Sequence, residues 1–275
     1  MESLRWWLAE RPEVSSFRWK QGQTFAASYS VLIGWAVGYL ALIYVLRVVV
    51  KSRKTPVPLG PIPILHNIVL SVGSLVMFCG CLQASALQIE SSKWIWGFKS
   101  PWKLVLCFPR GTISAGPVFF WSYIYYLSKF YELIDTVVLV LRKRPLTFLH
   151  VFHHVTVIFM SFFWLEYAMS LQIVALLTNT GVHVVMYTYY LLCSIGKPPA
   201  WKKLVTNLQI LQFVFSFVAS MGTLWYHFTG AGCSGMGAWV FNAVFNALLL
   251  ALFLNFHNRQ YKKGVRSEGK RRGID

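Results

Sequence analysis

The chain has 275 residues, of which 56% are hydrophobic and 13% are charged, and its mean hydropathy is +0.52. A soluble core of this length cannot bury so much apolar surface, so the composition excludes an ordinary soluble domain and indicates a membrane protein. The net charge of +17 would suit nucleic acid. However, the basic residues lie mainly in short loops between apolar segments, as expected from membrane topology, and we expect no nucleic-acid partner.

Seven apolar runs approach the length of about 20 residues that a helix needs to cross a bilayer. They are residues 26–50, 62–87, 116–141, 148–164, 171–195, 204–228 and 238–256. The N-terminus, MESLRWWLAERPEV, has no apolar core, which argues against a cleavable signal peptide and favours a short amphipathic segment on the membrane surface. We therefore expect an all-α integral membrane protein with three parts. They are an interfacial segment over 1–25, one seven-helix domain over 26–258 and a basic tail over 259–275.

The basic residues mark alternate loops between the predicted spans. They are Arg47, Lys51, Arg53, Lys54, Arg142, Lys143, Arg144, Lys197, Lys202, Lys203 and the tail. The positive-inside rule places these loops and the C-terminus in the cytosol, and the N-terminus on the opposite side. Cys107 and Cys233 fall in loops on that opposite side, where an oxidising lumen would permit a disulfide between them.

Ionisable residues are costly inside a membrane and are therefore candidates for function. The second run begins with His66 and Asn67, and the third contains KFYELIDT, with Lys129, Glu132 and Asp135 at three-residue spacing along one helical stripe. A buried salt-bridge ladder is the structural alternative for that stripe.

The fourth run opens with HVFHH, in which His150, His153 and His154 share one helical face. The fifth run contains a stripe of four polar residues, and the sixth contains a stripe of three. They are Asn179, His183, Tyr187 and Tyr190 in NTGVHVVMYTYY, and Thr206, Gln209 and Gln212 in TNLQILQF. Interhelical hydrogen bonding and the aromatic belt are the alternatives for these two sets.

The polar groups converge in depth. At about 1.5 Å per residue, Asp135, His153 and Gln209 each lie roughly 10 Å inside the cytosolic edge of the span, and His183 lies about 20 Å inside. We therefore predict a polar chamber, open to the cytosol, that these helices share.

Three clustered imidazoles in lipid suit either a metal or a reaction. A metal-dependent desaturase or hydroxylase is one alternative, although four well-placed histidines are few for a di-iron pair. The other use is nucleophilic: an imidazole takes an acyl group, a neighbouring imidazole moves the proton, and a carboxylate such as Asp135 fixes a histidine tautomer. A seven-span lipid receptor or transporter is the alternative outside the enzymes.

The stretches KFYELIDT, HVFHH, HVVMYTYY and TNLQILQF occur in that order and match KxxExxDT, HxxHH, HxxMYxYY and TxxQxxQF. In these motifs the chain resembles the ELO family of very-long-chain fatty acid elongases. The resemblance implies seven membrane helices, six of them forming a ring around a closed acyl tunnel. It also implies an endoplasmic reticulum acyltransferase, a 3-oxoacyl-CoA synthase that condenses a long-chain acyl-CoA with malonyl-CoA and releases CO2 and CoA.

The resemblance also implies residue roles. His153 would carry the acyl group in a ping-pong cycle, with His183 opposite it and His150 and His154 orienting the site or moving protons. Supporting residues would be Glu132, Asp135, Asn179, Gln212, Tyr187 and Tyr190. Residues holding acyl-CoA would be Lys129, Arg142, Arg144, Tyr189, Lys202, Thr206 and Gln209.

The family tends to bridge its two luminal loops, which favours the Cys107–Cys233 disulfide. No cofactor or metal is implied, because acyl-CoA and malonyl-CoA are substrates. The implied partners are the bilayer and the ketoreductase, dehydratase and enoyl reductase of the elongation cycle, with a homo-oligomer as a further possibility.

Overall fold

The computed structural model of the protein describes residues 4–96 and 102–262, and this part of the chain consists of helices and their connections, without a β-strand. Residues 1–3 of the predicted interfacial segment and 263–275 of the predicted basic tail lie outside the described residues. The longer helices are α1 (Tyr29–Lys51), α2 (Ile62–Trp96), α3 (Pro117–Glu132), α4 (Ile134–Leu141), α5 (Phe148–Glu166), α6 (Gln172–Ser194), α7 (Lys202–Thr229) and α8 (Met236–His257). Short helical turns cover Trp6–Glu10, Pro12–Ser15, Trp102–Leu106 and Asn258–Lys262.

Within the described residues, five helices are long and apolar enough to cross a membrane. These segments are Tyr29–Lys51, Ile62–Ser91, Phe148–Glu166, Lys202–Thr229 and Met236–Gln260. The two other predicted spans are helical but differ in character. The third run is divided between α3 and α4, and α6 carries the polar stripe from Asn179 to Tyr190 along its length.

The helix break at Leu133 falls inside the KFYELIDT motif. The Leu133 N–H donates to the Phe130 carbonyl at 3.3 Å, and the Thr136 N–H donates to the Leu133 carbonyl at 3.1 Å. These three-residue steps replace the four-residue steps of an α-helix, a local change that is common at functional sites. The predicted stripe is therefore divided between two helices, with Glu132 at the end of α3 and Asp135 at the start of α4.

The start of α5 fixes the position of HVFHH. The Thr147 side chain caps this helix and accepts a hydrogen bond from the His150 N–H at 3.3 Å. Thr147 is a favourable cap because its oxygen satisfies one of the free N–H groups of the first turn. The histidines consequently occupy the first two turns of α5.

The helices pack in a closed series of neighbours. Each member of the order α2, α3, α5, α8, α7 and α6 packs against the next, and α6 packs extensively along α2. Helix α1 lies outside this series and contacts α4 and α5. Its buried side chains, Leu32, Tyr39, Ile43 and Val50, follow a spacing of seven, four and seven residues, so one stripe of α1 faces the bundle.

The end of the bundle that carries Arg142 and Lys202 is called here the basic end. The connections after α1 and after α4 meet there, because Lys143 Nζ donates to the Arg53 carbonyl and the Val57 N–H donates to the Leu141 carbonyl at 2.9 Å. Two basic loops predicted to share one side of the membrane therefore contact each other.

The opposite end, called here the disulfide end, is held by a bond between Cys107 and Cys233. The predicted disulfide is thus confirmed. Hydrogen bonds extend the linkage to the α5–α6 loop: the Ser234 N–H donates to the Phe108 carbonyl at 2.8 Å, and the Phe108 N–H donates to Ser170 Oγ at 3.0 Å. Three connections are therefore joined at this end.

Loss of the disulfide is expected to remove the mobility shift that a reductant causes on a denaturing gel. Cys107→Ala and Cys233→Ala should behave identically because they remove the same bond, and each should cost about 2–4 kcal/mol of stability. Cys193→Ala is the control, since Cys193 is a free cysteine and this variant should keep the shift. Absence of any shift in the parent protein would contradict the bond.

The N-terminal segment packs on the disulfide end. Ala9 and Val14 are buried, the Leu8 carbonyl accepts from Trp121 Nε1 at 2.8 Å, and Trp19 Nε1 donates to Glu166 Oε2 at 2.9 Å. The apolar face that was predicted to rest on a membrane surface is therefore covered in part by the protein.

Candidate active site

A cavity of about 480 Å³ is lined by residues of α2, α3, α4, α5, α6, α7 and α8. The predicted site residues that line it are Glu132, Asp135, Arg142, His150, His153, His154, Asn179, His183, Tyr187, Tyr189, Tyr190, Lys202, Thr206, Gln209 and Gln212. The fold therefore gathers polar side chains from separate helices into one chamber, as their similar depths predicted.

The mouth of this chamber is cationic. Arg142 and Lys202 are exposed at the basic end and contribute to the lining. Tyr189 lies at the same end with its ring 5.4 Å from that of Trp201. Arg144 is also exposed, but it is not among the lining residues. The chamber therefore offers two cationic side chains to a ligand that enters from the basic end.

Lys129 does not lie at the mouth with Arg142 and Lys202, so its predicted role in holding acyl-CoA does not fit the structure. Its side chain is 1% exposed, its Nζ donates to Glu132 Oε1 at 2.6 Å, and it sits 4.0 Å from the centre of the Tyr125 ring. The same Glu132 oxygen lies 3.5 Å from His183 Nδ1. Lys129 is therefore a buried counterion for the carboxylate that faces His183, because a buried carboxylate needs a partner.

Asp135 holds a histidine, but that histidine is outside HVFHH. Its Oδ1 lies 2.9 Å from His66 Nε2, and its Oδ2 accepts a hydrogen bond from the Tyr187 hydroxyl at 2.8 Å. These contacts join α4 to α2 and α6. The suggestion that Asp135 fixes a tautomer therefore applies in this structure to His66, which also lines the chamber.

His150 instead meets a hydroxyl group. Its Nε2 lies 2.8 Å from Thr136 Oγ1, and the same Thr136 oxygen lies 2.7 Å from the hydroxyl of Tyr39 on α1. Thr136 and Tyr39 are 1% and 3% exposed. The sequence contained a signal for Thr136, as the last residue of KFYELIDT, whereas Tyr39 stands in an apolar run with nothing to distinguish it.

The three rings of HVFHH pack together. The ring centres of His150 and His154 are 4.3 Å apart, those of His153 and His154 are 5.5 Å apart, and His153 stacks on Phe245 at 6.3 Å. His153 Nδ1 is buried without a hydrogen-bond partner, while the residue as a whole keeps exposed surface in the chamber. Nε2 is therefore the His153 nitrogen that a ligand in the chamber can reach.

A second, smaller cavity of about 30 Å³ continues from His153 toward the disulfide end. It shares His153, Asn179, Gln212 and Phe213 with the main chamber. The Tyr125 ring stacks on Trp164 at 5.4 Å, and both residues line this inner space. His153 thus borders both cavities, the large chamber and an inner pocket with room for about one water molecule.

In the part of the chain that the structure describes, no group of three or more His, Cys, Asp or Glu side chains is arranged to hold a metal ion. Three imidazoles of the chamber face protein oxygens: His66 faces Asp135, His150 faces Thr136 and His183 faces Glu132. These contacts orient the rings of the chamber relative to one another.

Apolar helices that can cross a bilayer, together with a deep chamber lined by histidines and open at a cationic mouth, define a helical membrane protein with a buried polar site. Its sequence matches the ELO: GNS1/SUR4 family over residues 24–269. The chain belongs to this family.

Curated relatives cover almost the whole chain. "Fatty acid elongase 3-like" of Arabidopsis thaliana is 36% identical over 268 residues, which are 95% of this chain and 93% of the relative. "Fatty acid elongase A" of Dictyostelium discoideum is 36% identical over 255 residues, covering 91% and 90%. "Fatty acid elongase sre1" of the same organism is 32% identical over 259 residues, covering 93% and 92%.

Proposed function

We propose that this protein is the condensing enzyme of a fatty acid elongation cycle. It joins a long-chain acyl-CoA to malonyl-CoA and yields a 3-oxoacyl-CoA two carbons longer, with release of CO2 and CoA. The position of His153, with one reachable nitrogen at the junction of two cavities, is the observation that carries this proposal. Family membership and the elongase names of the relatives agree with it.

The reaction proceeds in two halves. His153 Nε2 attacks the thioester carbonyl and the carbon–sulfur bond breaks. The proton on His153 Nδ1, which has no hydrogen-bond partner in this structure, then reaches the departing CoA thiolate by way of His154, which requires the His154 ring to turn toward it. Malonyl-CoA then loses CO2, and the carbanion at its C2 attacks the acyl carbonyl carbon. The carbon–nitrogen bond breaks, and His153 recovers a proton from solvent, which balances the cycle.

The remaining residues of the chamber support His153. Glu132 and its counterion Lys129 fix His183 on the facing helix, and Asn179 and Gln212 border both cavities next to His153. Amide N–H groups placed beside a reacting carbonyl stabilise the charge that develops on its oxygen. His183, Asn179 and Gln212 are therefore assigned to the acyl oxygen, and Asp135, Tyr187 and Tyr190 to the walls that keep these groups in place.

The cationic mouth suits the phosphates of CoA. Arg142 and Lys202 are assigned to these phosphates, since charge-assisted hydrogen bonds to phosphate are strong. Tyr189, Thr206 and Gln209 are assigned to the part of CoA that links its phosphates to the thioester. CoA stays in the cytosol, so the basic end faces the cytosol and the disulfide end faces the lumen of the endoplasmic reticulum.

The acyl chain is placed beyond His153. In this proposal the chain has seven membrane helices, with α3 and α4 counted together as one. Helix α1 lies outside, and the other six surround a tunnel that is closed at the disulfide end. The inner pocket has room for about one water molecule, so an acyl tail requires side chains such as Phe213 and Phe245 to turn aside. The 3-oxoacyl product requires a ketoreductase, a dehydratase and an enoyl reductase, which are the proposed partners.

The test uses purified protein and a panel of acyl-CoAs of different lengths, with and without malonyl-CoA, and reads the products by mass. A malonyl-dependent 3-oxo product longer by two carbons is the expected result. A product of unchanged length that has lost two hydrogens or gained an oxygen would indicate the desaturase or hydroxylase alternative, which iron analysis of the same sample checks. Acyl-CoA binding without turnover would indicate the receptor or transporter alternative.

Arg142→Ala is expected to raise KM for acyl-CoA about 10- to 100-fold while kcat changes little, because a charged hydrogen bond to phosphate serves binding rather than chemistry. Arg144→Ala is the matched control: this arginine is also exposed and belongs to the same loop, but it does not line the chamber. Steady-state kinetics with both variants make the comparison. Equal losses in kcat and kcat/KM for Arg142→Ala, or equal effects of the two variants on KM, would contradict the assignment.

A further inference from the structure

Helix α1 stands outside the closed series of helices, and most of its apolar side chains face outward. Ile33, Val37 and Tyr44 are 56%, 62% and 71% exposed. Tyr39 differs, because it is 3% exposed and its hydroxyl ends 2.7 Å from Thr136 Oγ1. This outer helix therefore delivers one buried hydroxyl group to the edge of the histidine cluster.

The hydroxyl of Tyr39, that of Thr136 and His150 Nε2 form a continuous chain of two short contacts, 2.7 Å and 2.8 Å. It crosses α1, α4 and α5. Three arrangements of donation are possible. In the first, Tyr39 donates to Thr136, and Thr136 donates to His150 Nε2, so the proton of a neutral His150 ring lies on Nδ1. In the second, His150 Nε2 donates to Thr136, and Thr136 donates to Tyr39. In the third, Tyr39 and His150 Nε2 both donate to Thr136, because a hydroxyl oxygen can accept two hydrogen bonds.

The burial of Tyr39 and Thr136 selects the first arrangement. The Tyr39 O–H in the second, and the Thr136 O–H in the third, would have no acceptor among the hydrogen bonds of the described residues. A buried donor without a partner is strongly disfavoured. In the first, both hydroxyl protons are used and His150 Nε2 accepts. The remaining ring proton of His150 is on Nδ1, and His150 is only half-buried and lines the chamber.

We propose that Tyr39 and Thr136 are positioning residues that hold His150 as the Nδ1–H tautomer and fix its ring against His154. This inference rests on the proposed function and separates two roles within it. Because its Nε2 is engaged by Thr136, His150 orients the cluster. The His154 ring packs against the rings of both His150 and His153, and His154 moves the proton for His153.

The test compares Tyr39→Phe and Thr136→Val, which keep the shapes of the side chains and remove hydroxyl groups, with Thr136→Ser, which keeps the hydroxyl. Tyr44→Phe, on the outward face of the same helix, is the matched control. Two readouts are used. One is the nitrogen NMR spectrum of ¹⁵N-histidine-labelled protein, in which the two neutral tautomers differ and the His150 signals are assigned from their loss in His150→Gln. The other is the kinetics of condensation.

We expect Tyr39→Phe and Thr136→Val each to remove the single Nδ1–H pattern of His150. Each should also lower kcat roughly tenfold, the lower end of the loss seen when the hydrogen-bond partner of a metal-bound histidine is removed. KM for acyl-CoA should stay within about twofold. The double variant should lose no more than Thr136→Val alone, since both residues act through one chain. Thr136→Ser and Tyr44→Phe should match the parent.

An unchanged His150 spectrum in both Tyr39→Phe and Thr136→Val would overturn the inference, and so would additive kinetic losses. Should Tyr39→Phe fail to fold, the Thr136→Val and Thr136→Ser pair still decides the question. A parent protein that produces no 3-oxoacyl-CoA would refute the proposed function instead, and the tautomer measurement, which needs no turnover, would still test the hydrogen-bond chain.

Discussion

His153→Ala is expected to abolish the release of CoA from acyl-CoA when malonyl-CoA is absent. The loss should be about 10³-fold or more, as for other nucleophiles that form a covalent intermediate. The variant should still bind acyl-CoA, because the cationic mouth and the rest of the lining are unchanged. Intact mass of the parent protein should show an added acyl group, and the variant should show none.

His154→Ala provides the contrast for this experiment. Its ring lies 5.5 Å from that of His153 and is buried, so it is placed to move a proton rather than to receive the acyl group. We expect its rate to fall about 10²- to 10⁴-fold while the acylated protein still accumulates on long incubation. Normal CoA release by His153→Ala, or an acyl group found on that variant, would rule out His153 as the carrier.

Removal of one partner of the buried Lys129–Glu132 pair is expected to have the largest effect on stability. Glu132→Leu or Lys129→Met leaves a charge that is about 1–2% exposed without its counterion, which typically costs about 3–5 kcal/mol. Thermal unfolding in detergent should show a large fall in Tm for either single variant. The double variant, apolar at both positions, should recover most of the stability.

Enzyme activity separates the contribution of the Lys129–Glu132 pair to stability from its contribution to placing His183. The double variant should remain inactive in the condensation assay, since His183 has lost the carboxylate oxygen that lies 3.5 Å from its Nδ1. Glu10→Ala serves as the control. The ion pair of Glu10 with Arg5 has the same 2.6 Å length, but the side chains of Arg5 and Glu10 are 47% and 42% exposed. This exposed pair should contribute less than about 1 kcal/mol. A double variant as unstable as the singles would contradict the coupling.

The break at Leu133 divides one motif between two helices. Glu132 ends α3 and lies beside His183 on α6, whereas Asp135 and Thr136 begin α4 and reach His66 and His150. The three-residue hydrogen bonds at the break keep Glu132 and Asp135 on the same side, where both line the chamber, and Asp135 also contacts α6 through Tyr187. The two parts of the motif together contact α2, α5 and α6.

Much of the architecture followed from local chemistry. Apolar runs long enough for a bilayer predicted helices at 26–50, 62–87, 148–164, 204–228 and 238–256. Helices that can cross a membrane cover the last four runs completely and the first from residue 29. The pairing of Cys107 with Cys233 followed from two loops on one side together with the family resemblance, and it is confirmed. Four motifs identified the family, which matches residues 24–269.

The sequence by itself determined the class of protein, the helices and the set of polar residues that line the chamber, because periodicity and the cost of polar groups in lipid are properties of single segments. The tertiary structure alone decided which partner each group meets. It buried Lys129 away from the mouth, gave Asp135 to His66, and brought Tyr39 to Thr136 across 97 residues of chain. Contacts of this kind depend on the order and rotation of packed helices, which depth and spacing along one helix do not specify.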